Sequence, residues 1–438
     1  MKVLKFGGTS VGTAERMKEV ANLILDGEQK IVVLSAMSGT TNSLVEISDY
    51  LYKQNIDGAI EVINNLEKKY FTVAKELYAV EEYTNKSSEL IKTHFDFLRT
   101  FASKTKIFTQ FDEKVILAEG ELISTAMVNF YLCEIGIKSV LLPALDFMKT
   151  DLNSEPDMPF IKGHIAKQLA DNKGAEIYIT QGYICRNHYN EIDNLQRGGS
   201  DYTASILGAA ISASEIQIWT DIDGMHNNDP RFVENTKPVA NLHFEEAAEL
   251  AYFGAKILHP TCVLPAKQAN IPVRLLNTME PKAKGTLIST ECEQNKIEAV
   301  AAKDGITSIK VKSGRMLLAY GFMRKVFEIF ERYQTAIDMI TTSEVGVSVT
   351  IDNTKHLDEI LDELKKFGTV TVDSDMVIIC VVGDMNFEHI GFQAKVVDAI
   401  KDIPIRMISY GGSNYNISFL IKAEDKKRAL NALSDKLF

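Results

Sequence analysis

The chain opens on an apolar run, Val3 to Phe6, interrupted only by Lys5, and the run reads as a short buried strand. In the next stretch, Thr13 to Leu25, the apolar residues fall at helical spacing. A second run, "KIVVLSAM", reads as another buried strand ending at Ser35. The polar turn "SGTTNS" follows, and a helix is expected from near Ser43. Strand, glycine turn and helix, then the same again, is the pattern of a parallel α/β sheet. Residues 57–110 are charged, helical in pattern and without glycine motifs, and read as a helical insertion or flank. "AEIYITQGYI", "EIQIWTDID" and "IPVRLLN" supply later strands, and the α/β pattern ends near Lys284 to Thr290.

Beyond that point the texture changes. "GITSIKVKS" reads as a strand, "GFMRKVFEIFERYQ" as an amphipathic helix, "AIDMITTS" and "VGVSVTID" as a strand pair, "HLDEILDELKKF" as a helix and "TVTVDS" as a strand. The order β-α-β-β-α then starts again at "MVIICVVGD", and Ile337-Asp338-Met339-Ile340 returns as Ile405-Arg406-Met407-Ile408. The tail is therefore an internal duplication of ferredoxin-like βαββαβ units, at 304–373 and 374–438. The second unit runs out of chain before its last strand. The unassigned strand "KIEAVAAK", 296–303, is expected to complete it; a free sheet edge is the alternative.

Composition narrows the function classes. A chain of 438 residues is expected to hold two or three domains. Net charge is -11, which argues against a nucleic-acid partner, so any polyanion site must be a local cluster of Lys and Arg. No unbroken apolar run reaches the ~18 residues of a membrane span, and no signal-peptide pattern precedes the first strand. Cys133, Cys185, Cys262, Cys292 and Cys380 lie far apart without metal or redox spacing, and read as reduced buried thiols of a cytoplasmic protein.

Four stretches carry candidate chemistry. "KFGGTS" puts Lys5 before a glycine turn, the way a strand presents backbone N–H groups to phosphate; a tight turn with a surface lysine is the alternative. "QRGGSDYTA" sets Arg197, two glycines, Ser200 and Asp201 before a helix, where helix capping accounts for the Ser-Asp but not for the arginine. "WTDIDGMHNNDPR" runs a strand into a carboxylate-rich loop, and "AYFGAKILHP" holds Lys256 in an apolar run, where a snorkelling lysine is the alternative. Together they describe a site for two anions at the carboxyl ends of parallel strands.

These stretches, with "VVLSAMSGTTN", "EGELIST", "FGAKILHPTCVLPA" and the paired tail units, resemble the aspartokinases of the amino-acid-kinase family with C-terminal ACT domains. The resemblance covers nearly the whole chain and implies a monofunctional enzyme. It implies a catalytic domain at 1–290 with an open, mostly parallel sheet and helices on both faces. It implies ATP-dependent phosphorylation of the β-carboxylate of L-aspartate, with Mg2+ on the ATP phosphates and no named protein ligand. Lys5 is then the lysine on the transferring phosphoryl group, oriented by Asp201, with Gly7, Gly8 and Ser10 in the turn beside it. Arg197 is expected on the α-carboxylate of aspartate and Glu121 on its ammonium, with Ser35, Thr41, Ser200 and Tyr183 nearby. Thr220, Asp221, His226, Arg231 and Lys256 belong to the ATP side. Two departures stand out: Gln196 where the family often has glycine, and His226 where it often has an aromatic residue against adenine.

The paired ACT units imply feedback inhibition, with L-lysine the first choice of effector and L-threonine the other. Met316, Gly321, Asp338, Thr342, Ser343 and Glu344 are the candidate effector residues, although Leu318 and Ala319 stand where the lysine-sensitive branch often has polar residues. A purely structural dimerisation module is the alternative. The resemblance also implies a homodimer through the ACT units, with a tetramer left open.

Overall fold

The computed structural model describes the chain from Met1 to Phe438 except residues 196–197, 255–259, 292–295 and 315–319. The chain forms two compact units, Met1–Met225 with Ile257–Thr290, and His226–Lys256 with Glu291–Phe438. Segment 226–256, which the sequence pattern groups with the residues before 290, belongs by compactness with the C-terminal residues.

In the first unit the strands run, in spatial order, β3 (Ser139–Leu142), β4 (Ile177–Gln181), β2 (Lys30–Leu34), β1 (Lys2–Phe6), β7 (Ile216–Thr220), β9 (Val273–Asn277) and β10 (Thr286–Ser289). All neighbours are parallel except β9 and β10. Parallel strands are joined by crossovers that cover both faces, which is why β2 and β4 are buried at every residue. Leu4 and Phe6 of β1, Val32 and Leu34 of β2, and Ile177 and Ile179 of β4 share one core with α1 (Ala14–Ile24), α2 (Thr40–Tyr52), α3 (Ile56–Leu77), α4 (Glu81–Lys104) and α5 (Gln110–Glu134). The opposite face packs on α7 (Gly199–Ile211), which is flanked by α6 (Met158–Asp171) and α9 (Leu264–Gln268). A short hairpin, β5 (Ile184–Arg186) and β6 (Ile192–Asn194), follows β4. Side chains alternate along a strand, so Lys5 points with Val3 toward α7, away from Leu4 and Phe6.

Local chemistry sets the helix ends. The Arg16 N–H donates to the side chain of Thr13, which caps α1. Helix α2 starts at Thr40 and not near Ser43, because the chain turns at Gly39, whose φ is 79°. Thr109 and Asp112 form a reciprocal capping box at the start of α5. By length and composition α5 would suffice to cross a membrane, a length of apolar pattern the run count misses because Glu119 and Glu121 interrupt it. In this fold it is a core helix, buried from Ile116 to Val128 at nearly every position.

The second unit contains β8 (Asn241–His243), α8 (Phe244–Tyr252), β11 (Ile297–Lys312), α10 (Phe322–Arg332), β12 (Ile340–Ser343), β13 (Gly346–Ile351), α11 (Leu357–Leu364), β14 (Thr369–Gly383), α12 (Phe392–Ala399), β15 (Met407–Tyr410), β16 (Asn416–Lys422) and α13 (Lys426–Leu437). Its antiparallel sheet has the order β12-β13-β11-β14-β16-β15. Four strands expected as separate segments merge into two long ones, β11 and β14. Their mutual ladder continues across a register shift at Lys303–Ser308 of β11, where two separate strands were expected. The first part of β11 pairs with Ile378–Gly383, and its second part with β13 and Thr369–Asp373. Each repeat thus has a four-stranded half-sheet and its own apolar core. One is built on α10 and α11 around Val326, Ile329, Phe330, Ile360 and Leu364. The other is built on α12 and α13 around Val396, Phe419, Leu430 and Leu433. Helix α8 packs on β14 and β11. No disulfide joins the described cysteines; Cys185, Cys262 and Cys380 are buried, whereas Cys133 is partly exposed, and Cys292 lies outside the described residues.

Candidate active site

Where β1, β2 and β4 end, the two helical layers part around a cavity of about 1260 Å3. Its walls include Lys5, Gly8, Ser35, Thr41, Glu121, Tyr183, Ser200 and Asp201, so eight of the predicted residues converge there. Lys5 is the penultimate residue of β1 and Asp201 lies in the first turn of α7. Their side chains meet at 2.7 Å between Nζ and Oδ1, a contact held by charge at an angle outside that of a hydrogen bond. Both are largely buried, at 13% exposure each, so the pair is weakly screened.

Two glycines make the adjoining wall. A Cβ on Gly199 would stand 2.5 Å from Cδ2 of the Tyr183 ring, and one on Gly182 would stand 2.5 Å from Ser200 Oγ. Only without those atoms can the end of β4 touch the start of α7, which aims the helix N-terminus and its unpaired N–H groups at the cavity. Tyr183 itself has φ of 69°, a strained value for a bulky residue. Ser35 Oγ donates to Ser200 Oγ at 3.0 Å, joining the ends of β2 and α7.

Glu121 comes from the opposite layer. It is 4% exposed and accepts a hydrogen bond from the Ala36 N–H at 3.1 Å. Burial pushes its carboxyl up to about 8, against the smaller opposing pull of that N–H. Among the described residues no ion pair reaches it, and a carboxylate so placed calls for a cation. Burial likewise pushes the Tyr183 hydroxyl up to about 12, with Glu121 adding to the effect.

Gly7 and Ser10 do not line the cavity. The Ser10 side chain is buried and turns to Thr278 Oγ1 at 3.4 Å, while Thr9 takes the place at the wall. Arg197, Lys256, Met316 and Gln196 lie outside the described residues. Thr220 and Asp221 stand at the end of β7, the Thr220 hydroxyl donating to Asp221 Oδ1 at 3.1 Å, and neither is among the described walls of the cavity. In the second unit, His226 Nδ1 lies 3.0 Å from Thr236 Oγ1. Arg231 forks onto Asp229, with Nε to Oδ1 at 2.9 Å and Nη2 to Oδ2 at 2.6 Å. Among the effector candidates, Gly321 has φ of 81° before α10, and Thr342 and Ser343 lie on β12 with Glu344 in the turn after it. The Asp338 side chain is buried against Lys303, at 2.6 Å.

Sequence reasoning missed Gln110, Glu113, Lys114, Asp193 and Asn194, which also line the cavity. Lys114 Nζ pairs with Asp193 Oδ1 at 2.7 Å. A signal existed for the first three. Counting back from Glu121 by helical turns reaches Leu117, Lys114 or Glu113, and Gln110, one stripe of α5. Nothing in the spacing points to Asp193 or Asn194.

Among the described residues, no three His, Cys, Asp or Glu side chains gather as a metal site. The fold and the cavity, with a lysine and a helix N-terminus converging at parallel strand ends, define a phosphoryl-transfer enzyme acting on a small anionic acceptor. The chain belongs to the amino acid kinase family, whose model matches residues 1–277; a second model, the ACT domain, matches 379–437. It is 33% identical over its full length to lysine-sensitive aspartokinase 3 of Escherichia coli, covering 99% of that protein. Two solved structures of E. coli aspartokinase III are alike over the whole chain at 32% identity. The complex with aspartate and ADP (R-state) has a TM-score of 0.84, with all of that chain covered. The complex with lysine and aspartate (T-state) has a TM-score of 0.83, with 99% covered. Within its family the chain is therefore an aspartate kinase, using ATP as phosphoryl donor and carrying an allosteric ACT region.

Proposed function

We propose that the enzyme transfers the γ-phosphoryl group of ATP to the β-carboxylate of L-aspartate, forming 4-phospho-L-aspartate and ADP. The single observation that carries the assignment of roles is the Lys5–Asp201 pair, facing Glu121 across one cavity. A β-carboxylate has a pKa near 4, so it is already a nucleophile and no general base is required. One of its oxygens forms the new bond to phosphorus as the bond to the bridging β,γ-oxygen breaks, and no proton moves. The barrier is the approach of two anions, and positioning and charge neutralisation lower it.

Lys5 stabilises the equatorial oxygens of the transferring group, and Asp201 holds Lys5 on the α7 side. Glu121 takes the α-ammonium, which supplies the cation its burial leaves wanting. Arg197 grips the α-carboxylate, a task that suits its planar fork. Ser35, Thr41, Ser200 and Tyr183 shape the acceptor side. Thr220, Asp221, His226, Arg231 and Lys256 serve the nucleotide, for which Arg231 must exchange Asp229 for phosphate. Mg2+ enters with ATP as part of the substrate, keeping several of its waters.

For the regulator we favour L-lysine, sensed where Asp338 and Glu344 stand among Gly321, Thr342 and Ser343, with residues 304–373 and 374–438 as the paired ACT domains. The lysine sensitivity of the E. coli relative supports this reading. We propose a homodimer through these same domains. The test is aspartate-dependent ADP release with lysine, threonine and methionine added separately. Inhibition by lysine alone is expected; inhibition by threonine alone would move the sensor to that ligand. Indifference to all three would reduce the region to a dimerisation module.

A further inference from the structure

Asp338 is unusually deep for a charged residue, with a side chain 1% exposed. Its backbone N–H donates to Thr350 O at 2.9 Å, tying it to β13. One of its oxygens is crowded. Lys303 Nζ lies 2.6 Å from Oδ1 and 3.0 Å from Asp352 Oδ2. The Tyr252 hydroxyl donates to the same Oδ1 at 2.7 Å, and the Lys303 ammonium lies 4.3 Å from the centre of the Tyr252 ring. The other oxygen, Oδ2, is buried and has no hydrogen-bond partner among the described residues.

The charges do not balance. Burial opposes the charge on Lys303 most strongly, but the hydrogen bonds to Asp338 and Asp352 outweigh it and hold the amine above its ordinary range. Burial first, and Asp338 next, drive the Tyr252 hydroxyl upward, so it remains a neutral donor. Two carboxylates around one ammonium leave a net charge of about −1 with an open buried acceptor, and a buried charge short of partners is costly. An arriving ammonium group is the complement of that site.

Tyr252 gives the cluster a second property. It is the last residue of α8, and Thr261, nine residues further along the chain, lines the acceptor cavity. We propose that Tyr252 is the positioning residue that couples the Asp338 site to catalysis. An ammonium on Oδ2 redistributes the carboxylate's hydrogen bonding, weakens the bond from Tyr252, and releases the end of α8, nine residues before Thr261 in the chain. Lys303 is the fixed counter-ion that stays on Asp338 Oδ1 in both states. The inference rests on the reading that Asp338 receives an amino-acid effector.

The full-length wild type and Tyr252→Phe are compared with L-lysine as probe. Basal ADP release within about twofold shows that the variant is folded. Coupling between sites typically spans about 5–150-fold, and it is reciprocal. In the wild type, substrates should weaken lysine binding by that factor in calorimetry. In Tyr252→Phe the lysine Kd without substrates should stay within about threefold, while the substrate-induced factor falls toward one and saturating lysine leaves most activity intact. Lysine that binds and inhibits Tyr252→Phe as it does the wild type overturns the role of Tyr252 alone. Lysine that binds neither protein overturns the effector reading and the inference with it. A wild-type measurement stands beside these: hydrogen exchange of the α8 amides should rise on adding lysine, and unchanged exchange would also overturn the coupling.

Discussion

Glu121 ties the acceptor site to pH in a way that can be worked out in advance. Its carboxyl is 4% exposed, accepts the Ala36 N–H, and is pushed by burial to about 8. If the α-ammonium of aspartate must meet the ionised form, the free site has to lose a proton first. At pH 7 that costs about 1.4 kcal/mol, and one unit more acid doubles it. The apparent Kd for aspartate then scales as one plus ten to the power of the pKa minus the pH. Between pH 8.5 and 6.5 this is a weakening of roughly 25-fold, with close to one proton released per aspartate bound near neutrality. Tyr183, pushed to about 12, stays neutral across this window and does not contribute. Calorimetry in phosphate and in Tris reads the proton directly, as a difference in apparent enthalpy. Glu121→Gln should bind aspartate at least tenfold more weakly at pH 8.5 and lose the pH slope. The same raised pKa has a stability consequence of fixed sign. Stability contributed by the neutral acid is full below the ordinary value of 4.5 and is lost as pH rises toward 8. The unliganded enzyme should therefore melt lower at pH 8 than at pH 5.5, and Glu121→Gln should flatten that difference. A wild type with no pH slope in Kd, or a variant that keeps the slope, would refute the reasoning.

Three further substitutions probe other parts of the site. Lys5→Met removes a charge used chiefly in the transition state; kcat should fall by about 10²–10³ with ATP binding largely kept, as steady-state kinetics and nucleotide titration will read. Arg197→Ala should raise the KM for aspartate by an amount on the order of 2–5 kcal/mol and leave that for ATP nearly unchanged. The reverse pattern would move Arg197 to the nucleotide side. Gly199→Ala forces a methyl group to within 2.5 Å of the Tyr183 ring. It should lower stability by about 1–3 kcal/mol in denaturant titration and weaken aspartate binding with it.

Much of this molecule is written in its hydrophobic pattern, because buried parallel strands and amphipathic helices carry strong periodic signals. Lys5, Ser35, Tyr183 and Asp201 were legible as walls of the cavity because they sit beside glycine turns at strand ends or helix starts. The pattern misled where continuity mattered. The strand at 296–303 and the one that follows it read as separate segments, yet the ladder of β11 runs through Lys303 to Ile306 with a shifted register. Ser10, expected in the turn beside Lys5, bonds back to Gly7 there, but its side chain goes to Thr278 while Thr9 lines the cavity. Asp193 was invisible because its partner Lys114 is distant in sequence and only the β5–β6 hairpin brings them together. The Lys303–Asp338–Tyr252 cluster joins three segments for the same reason.

The central claim is that aspartate is the phosphoryl acceptor at this cavity. The most direct measurement incubates the enzyme with Mg–ATP and L-aspartate in hydroxylamine, which traps an acyl phosphate as its hydroxamate. The account predicts aspartyl hydroxamate in equal amount to ADP, with neither formed when aspartate is omitted and both slowed by about 10²–10³ when Lys5 is replaced by methionine. ADP release without hydroxamate, or a hydroxamate formed from glutamate in preference to aspartate, would contradict it.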